Sequence, residues 1–249
     1  MTATPQLQIA TPPNFSITLI ERIRSLIGRG QLNAASLLLP TLEKLGVDAD
    51  RIALLRAEIA LGRGDQDAAR TAIDAGLARD PQSADLLVLR ARFALANRDL
   101  VGAALAAADA ITAAPANGWA KSLLGQALLA LRQTEQAVIC LREAAGDLPG
   151  DLPTIEALTA AAPLEAVAAI RGWIEGGRTD TPVRNALINA LLAAGDTAAA
   201  SAEIRNLTAA GLNDGQTSLL AVKAAIDSEN WSEATTLFET TTRHLPRHA

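Results

Sequence analysis

A spacing of 34 residues recurs along the chain and restricts it to a repeat architecture. Pro81, Pro115 and Pro149 are 34 residues apart, and each closes a segment with helical apolar periodicity. Alanine keeps the same spacing with one irregular step, at Ala35, Ala69, Ala103, Ala137, Ala166, Ala200 and Ala234. A fixed period of this length is typical of stacked units, each of which buries its apolar face only against its neighbours.

The period divides the chain into a short N-terminal segment and seven units. Segment 1–15 has three Pro and no charged side chain, so we predict that it is flexible. The repeat domain covers 16–249, and all its units except the shorter fifth have 34 or 35 residues. The predicted units are 16–49, 50–83, 84–117, 118–151, 152–180, 181–214 and 215–249.

Each unit contains two helical patterns separated by a turn. In the second unit, Ile52 and Ile59 mark one face of a first helix. Gly64 then ends that helix, Asp65 begins the next, and Pro81 ends the second helix. Abundant Ala and Leu with 2% aromatic residues favours helices over a β-sheet core. The sequence therefore predicts an all-α chain with fourteen main helices.

The fifth unit departs from this pattern. Its turn is Ala162-Pro163, and Trp173 stands where the second and third units have Gly76 and Ala110. We predict a shortened first helix and a local change of curvature in this unit. A drifted repeat whose gap is filled by Trp173 is favoured over a functional hinge.

The units resemble the tetratricopeptide repeat (TPR), as it occurs in bacterial proteins. The matching features are the 34-residue helix–turn–helix period, the Gly-Asp turn, the small residue that follows it in the second helix, and the closing Pro. The resemblance implies an α-solenoid of about seven units, a right-handed superhelix whose first helices line a concave groove. It also implies a non-enzymatic scaffold that binds a peptide or protein segment there. The aromatic positions typical of the first helix are Ala, Leu or Ile in this chain.

The resemblance maps the groove onto particular positions of the first helices. These positions are Arg24, Arg51, Glu58, Asp85, Arg92, Trp119, Gln126, Asn185, Asn189 and Lys223. Some family members bind the acidic C-terminal tail of chaperones with a clamp of Lys, Asn and Arg from three consecutive units. No three consecutive units reproduce that clamp in this chain, which disfavours a chaperone-tail function.

Arginine is concentrated in the first helices of the first three units. Arg22, Arg56 and Arg90 are 34 residues apart. In the favoured interpretation, these side chains pack along their helices and pair with local acidic residues. In the alternative, they form a basic inner wall that receives an acidic segment of a partner. Nucleic acid is disfavoured because the formal net charge is −5 and aromatic residues for stacking are scarce.

No group of residues has the spacing of a catalytic, metal-binding or cofactor site. His244 and His248 have the spacing of a helical metal pair, but Pro246 lies between them. Cys140 has no His near it in sequence, which favours a packed thiol over a nucleophile. We therefore expect no enzymatic activity, no cofactor and no bound metal.

The expected partner is a protein or peptide. In the alternative function, the chain is an accessory or regulatory subunit of an enzyme system, such as envelope polysaccharide or glycosyl-transfer machinery. We expect a cytoplasmic protein without a membrane segment, because no apolar run approaches roughly 18 residues and 1–15 lacks a secretory signal pattern.

At the C-terminal end, the Thr-rich last helix either forms a polar cap or leaves apolar surface for self-association or a partner. Phe238 is expected to pack inward.

Overall fold

Within residues 15–243, which a computed structural model describes, the chain forms fourteen α-helices and no strand, as predicted. The helices are α1 Phe15–Gly28, α2 Leu32–Lys44, α3 Ala49–Arg63, α4 Gln66–Leu77, α5 Ala84–Ala96, α6 Leu100–Ala113, α7 Gly118–Ala130, α8 Thr134–Asp147, α9 Leu152–Ala161, α10 Pro163–Glu175, α11 Thr181–Ala193, α12 Thr197–Ala209, α13 Gly215–Asp227 and α14 Trp231–Arg243. The predicted flexible segment lies outside the described residues except for Phe15, and so do His244 and His248.

The turns inside the helical pairs use a left-handed residue followed by a helix cap. Gly64 has a φ of 75°, and the Asp65 carboxylate accepts a hydrogen bond of 3.0 Å from the Ala68 backbone N–H. A carboxylate at this position satisfies one of the free N–H groups at the start of α4. Arg98, Arg132 and Glu229 occupy the same left-handed position with φ of 61°, 64° and 58°. The turn geometry therefore persists where glycine has been replaced.

The helices form two layers. Each odd-numbered helix packs against the next odd-numbered helix, from α1 through α13. Among residues 15–243, even-numbered helices do not pack against one another, except α8 against α10. First helices that stay together while second helices diverge produce a curved stack with the first helices on the inner side.

The periodic alanines lie where the helices approach most closely. Six of them are fully buried and Ala234 is 6% exposed. At a neighbouring close approach, a Cβ added to Gly125 would lie 2.6 Å from Cγ of Leu141. Small residues are therefore needed on both helices of a pair, and this packing requirement explains the 34-residue spacing of the alanines.

The fifth unit has the predicted short first helix, since α9 spans 10 residues against 13 in α11. Trp173 of α10 is buried, and its indole N–H donates a 2.9 Å hydrogen bond to the carbonyl of Ala145 in α8. In a continuing helix that carbonyl would accept from residue 149, but Pro149 has no N–H. Trp173 thus fills the gap and satisfies the free carbonyl.

Consecutive first helices are joined by residue pairs 32 positions apart. Ser122 and Thr154 share a buried hydrogen bond of 2.7 Å between their hydroxyl oxygens. The Thr217 hydroxyl donates to Oδ1 of Asn185 over 2.8 Å at the corresponding place between α11 and α13. Between α3 and α5 the same positions hold apolar side chains, Leu54 and Leu86, within one buried cluster. Each of these pairs matches polar with polar or apolar with apolar.

Candidate functional site

An open groove runs along the inner wall formed by α1, α3, α5 and α7. Arg24, Glu58 and Arg92, from three consecutive first helices, line a cleft of about 470 Å³. The same three side chains border an adjoining cleft of about 220 Å³, whose lining also includes Asp85 and Trp119. Five of the ten groove positions inferred from the sequence therefore line one continuous surface.

Glu58 is the most desolvated charge in this groove. Burial raises the pKa of Glu58 above its ordinary value, while Arg24 and Arg92 act in the opposite direction and Asp85 adds to the increase. Among residues 15–243, no ion pair within 4.0 Å includes Arg24 or Arg92. Both guanidinium groups thus keep donors that can bind a carboxylate from another molecule.

Trp119 supplies an apolar surface at the same place. It lies in the first turn of α7 and is 53% exposed, beside Val88 and Leu89 of α5. Tryptophan and arginine are among the residue types that are enriched at the energetic centres of protein interfaces. The groove therefore combines two cations, two carboxylates and one aromatic ring.

The other predicted positions lie apart from this cluster. Arg51 is exposed in the first turn of α3 but lines neither cleft. The partly buried Gln126 side chain donates to Ser122 Oγ over 3.0 Å. Lys223 Nζ donates to Asn189 Oδ1 over 3.3 Å, which links two later first helices. Asn185 is fully buried, and its side chain is hydrogen-bonded within the α11–α13 junction.

The arginine ladder does not form the inner wall. Arg56 pairs with Glu43 of α2, which confirms the favoured interpretation for this residue. Arg90 lines a cavity of about 430 Å³ between α4 and α6 on the outer side, where the Arg70 guanidinium lies 5.7 Å from the ring centre of Phe93. The groove arginines, Arg24 and Arg92, follow the ladder residues Arg22 and Arg90 by two positions in sequence. They therefore lie on a different face of their helices.

Comparison with protein families gives a match over more than half of the chain. A model of the ChAPs family (Chs5p-Arf1p-binding proteins) matches residues 3–144. The chain belongs to the ChAPs family. No curated protein sequence matches it.

Solved structures show that this ChAPs-family chain has the fold of TPR proteins. A tetratricopeptide repeat protein from Parabacteroides merdae has a TM-score of 0.60 at 14% identity, over 93% of this chain and 94% of that one. PilF of Pseudomonas aeruginosa has a TM-score of 0.59 at 19% identity, over 80% and 93%. A chain of the APC/C hetero-tetramer Cut9-Hcn1 has a TM-score of 0.64 at 14% identity, over 97% of this chain and 48% of that one.

Cys140 of α8 lies outside the groove and forms no disulfide. Burial, with a smaller contribution from Glu143, raises the pKa of the Cys140 thiol, which disfavours the thiolate form. No group of three or more His, Cys, Asp and Glu residues is placed to hold a metal ion in the described range. Between Phe15 and Arg243, no helix combines the length and apolarity needed to cross a bilayer.

Sequence reasoning missed the polar junctions between first helices. Their signal was present as a helix-capping Asp followed three residues later by Thr, at Asp151-Thr154 and Asp214-Thr217. In each case the Thr backbone N–H donates to the Asp carboxylate, and the Thr hydroxyl also reaches back to the preceding first helix. The buried Asn185 completes this network, since its side chain accepts from the Thr217 hydroxyl and donates to the Asp214 carboxylate.

Proposed function

We propose that the chain is a non-enzymatic scaffold that binds an extended protein segment in the inner groove of α1, α3, α5 and α7. The observation that carries the proposal is that Arg24, Glu58, Arg92 and Trp119, from four consecutive first helices, line one open surface. Two further facts support it: the family is named for binding proteins, and a similar fold occurs in the multichain Cut9-Hcn1 assembly.

The chemistry of the groove selects a segment with an acidic and an apolar side chain. A partner carboxylate can bind Arg24 and Arg92 together, because neither guanidinium is held in a direct ion pair. An apolar partner side chain then packs on Trp119 and contributes most of the affinity. The charges contribute specificity more than affinity, since the groove is open to solvent.

The groove is formed before binding, so the entropy cost of ordering falls mostly on the partner segment.

Glu58 makes the groove selective. Its carboxylate opposes a second negative charge at the same place, and its raised pKa weakens that opposition as the pH falls. An accessory subunit of an enzyme system would use the same groove to hold its enzyme, so identification of an enzyme as the natural ligand would favour that alternative.

The test is selection of peptides from a random displayed 12-residue library, followed by affinity measurement by fluorescence anisotropy. Selected peptides should contain an acidic residue near an aromatic or aliphatic residue. The double substitution Arg24→Glu with Arg92→Glu should weaken their binding by about tenfold or more. The matched control is Arg79→Glu with Arg205→Glu, which places the same charge change away from the groove. Equal loss in both variants would argue against a groove site.

A further inference from the structure

The inner groove carries negative as well as positive charge, but the proposed function assigns a partner group only to the positive charge. Glu58 of α3 and Asp85 of α5 both line the smaller of the two clefts, whose volume is about 220 Å³. Among residues 15–243, neither carboxylate forms an ion pair within 4.0 Å with a basic side chain. Both carboxylates can therefore accept hydrogen bonds from a cation of another molecule.

The two carboxylates lie close enough to affect each other. Burial raises the pKa of Glu58, Arg24 and Arg92 act in the opposite direction, and Asp85 adds to the increase. A cation placed beside two such carboxylates stabilises their ionised forms. A partner segment with acidic side chains alone would instead add negative charge beside Glu58 and Asp85. Charge complementarity with this groove therefore requires a partner cation as well as a partner carboxylate.

Trp119 determines which kind of cation fits the smaller cleft. It lines this cleft beside Val88 and Leu89 and is 53% exposed. A lysine or arginine side chain has an aliphatic stem that packs on such a surface and a charged end that is attracted to the face of an aromatic ring. A metal ion has no stem, and no group of three or more His, Cys, Asp and Glu residues between Phe15 and Arg243 is placed to hold one. The cleft therefore favours a basic side chain.

We propose that the partner segment carries both signs of charge. Its acidic residue binds Arg24 and Arg92. A lysine or arginine near that residue binds between Glu58 and Asp85, and the stem of this side chain packs on Trp119. The inference rests on the proposed function, since it specifies which side chain covers Trp119 in the same groove. The two clefts share three of their lining side chains, so the two charged residues of the partner are only a few positions apart in sequence.

The probe is a series of fluorescently labelled, acetylated and amidated 12-residue peptides with one glutamate and one lysine in a serine background. The lysine stands from one to five positions away from the glutamate, on either side. A matched series has norleucine in place of lysine, which keeps the apolar stem and removes the charge. In anisotropy titrations with the full chain, the tightest lysine peptide should bind about tenfold or more tighter than its norleucine counterpart.

Substitutions in the groove show which carboxylates act on the lysine. Glu58→Gln and Asp85→Asn keep the shape of each side chain and should each reduce the preference for lysine over norleucine by about threefold or more. The matched control is Asp74→Asn, which removes a carboxylate from the cavity on the outer side and should keep the preference. Unchanged thermal midpoints should show that the three variants are folded.

The possible outcomes separate this inference from the proposed function. Equal binding of the lysine and norleucine peptides overturns the inference and leaves the proposed function in place, because an acidic and an apolar side chain are then sufficient. A lysine preference that survives in both Glu58→Gln and Asp85→Asn also overturns the inference, since the lysine then binds elsewhere. Absence of saturable binding in both peptide series contradicts the proposed function as well. A lysine preference that falls in the two groove variants and persists in Asp74→Asn supports the inference.

Discussion

The two ends of the array are built from the same repeat but present opposite chemistry. The outward face of α1 carries Thr18, Glu21 and Ser25, whereas the outward face of the last unit carries Leu219 and Ile226. In the second, fourth and sixth units the counterparts of Leu219, which are Leu54, Ser122 and Asn185, are buried against the next first helix. Where no helix among residues 15–243 covers them, these positions are therefore polar in the first unit and apolar in the last described unit. Phe238 of α14 is also 54% exposed, so the expectation that it packs inward is wrong.

The largest expected difference between an internal and an end position is for leucine truncation. Leu54→Ala should lower the free energy of unfolding by about 2–5 kcal/mol, because Leu54 is 7% exposed and packs within a closed cluster. Leu219→Ala, at the same register position but 55% exposed, should cost less than about 1 kcal/mol. Urea denaturation followed by circular dichroism measures both. Similar losses would mean that the last unit is packed like an internal one.

Overpacking of the alanine positions should show the same asymmetry with a smaller effect. Ala137 is 0% exposed between α7, α8 and the following unit, so Ala137→Leu should destabilise by about 1–3 kcal/mol. Ala234, its counterpart in α14, is 6% exposed and has no following helix among residues 15–243, so Ala234→Leu should cost clearly less. Thermal melts of the two variants give the comparison. A larger loss for Ala234→Leu would contradict the open end.

A polar junction can be converted into an apolar one like that between Leu54 and Leu86. Asn185→Leu alone should destabilise by about 1–3 kcal/mol, because it removes one of the two acceptors of the Thr217 hydroxyl and a donor to Asp214. Addition of Thr217→Val should recover part of this loss by restoring an apolar pair. The coupling from the double-mutant cycle should be about 0.5–3 kcal/mol. Strict additivity of the two single changes would show that polarity matching does not govern the junctions.

The smallest effect concerns acid stability at the start of α13. The backbone N–H of Thr217 lowers the pKa of Asp214 below its ordinary value, with further help from the Thr217 and Asn185 side chains. Asp214 therefore stabilises the fold above its unfolded pKa, and this stabilisation is lost as the pH falls through the lower folded value. Asp214→Asn should reduce stability at pH 6 and converge with the original chain near pH 2. Parallel stability curves over that range would exclude this role.

Most of the fold follows from the sequence because the period fixes the positions of turns and close contacts. The fourteen helices, the short α9 and the buried alanines were all predictable on this basis. The left-handed turns at Arg98, Arg132 and Glu229 were not, because these residues give no local signal for a positive φ. Only their register relative to Gly64 points to them.

The site was less predictable because it depends on helical phase. Arg22 and Arg24 are two residues apart and lie about 200° apart around a helix, so a small error in phase moves a side chain from one face to another. The first helices are apolar on several sides, as in α5, and their pattern does not fix the phase. Asn185 shows the same limit, since junction and groove positions are neighbours on one helix.

Hydrogen–deuterium exchange with mass spectrometry tests most directly whether covering by the next first helix sets local stability. The comparison is between α2, which α3 covers, and α14, its register counterpart at the open end. Amides of α14 should exchange faster than those of α2 by about tenfold or more under native conditions, because local opening requires less free energy there. Equal protection of α2 and α14 in the isolated monomer would contradict the account.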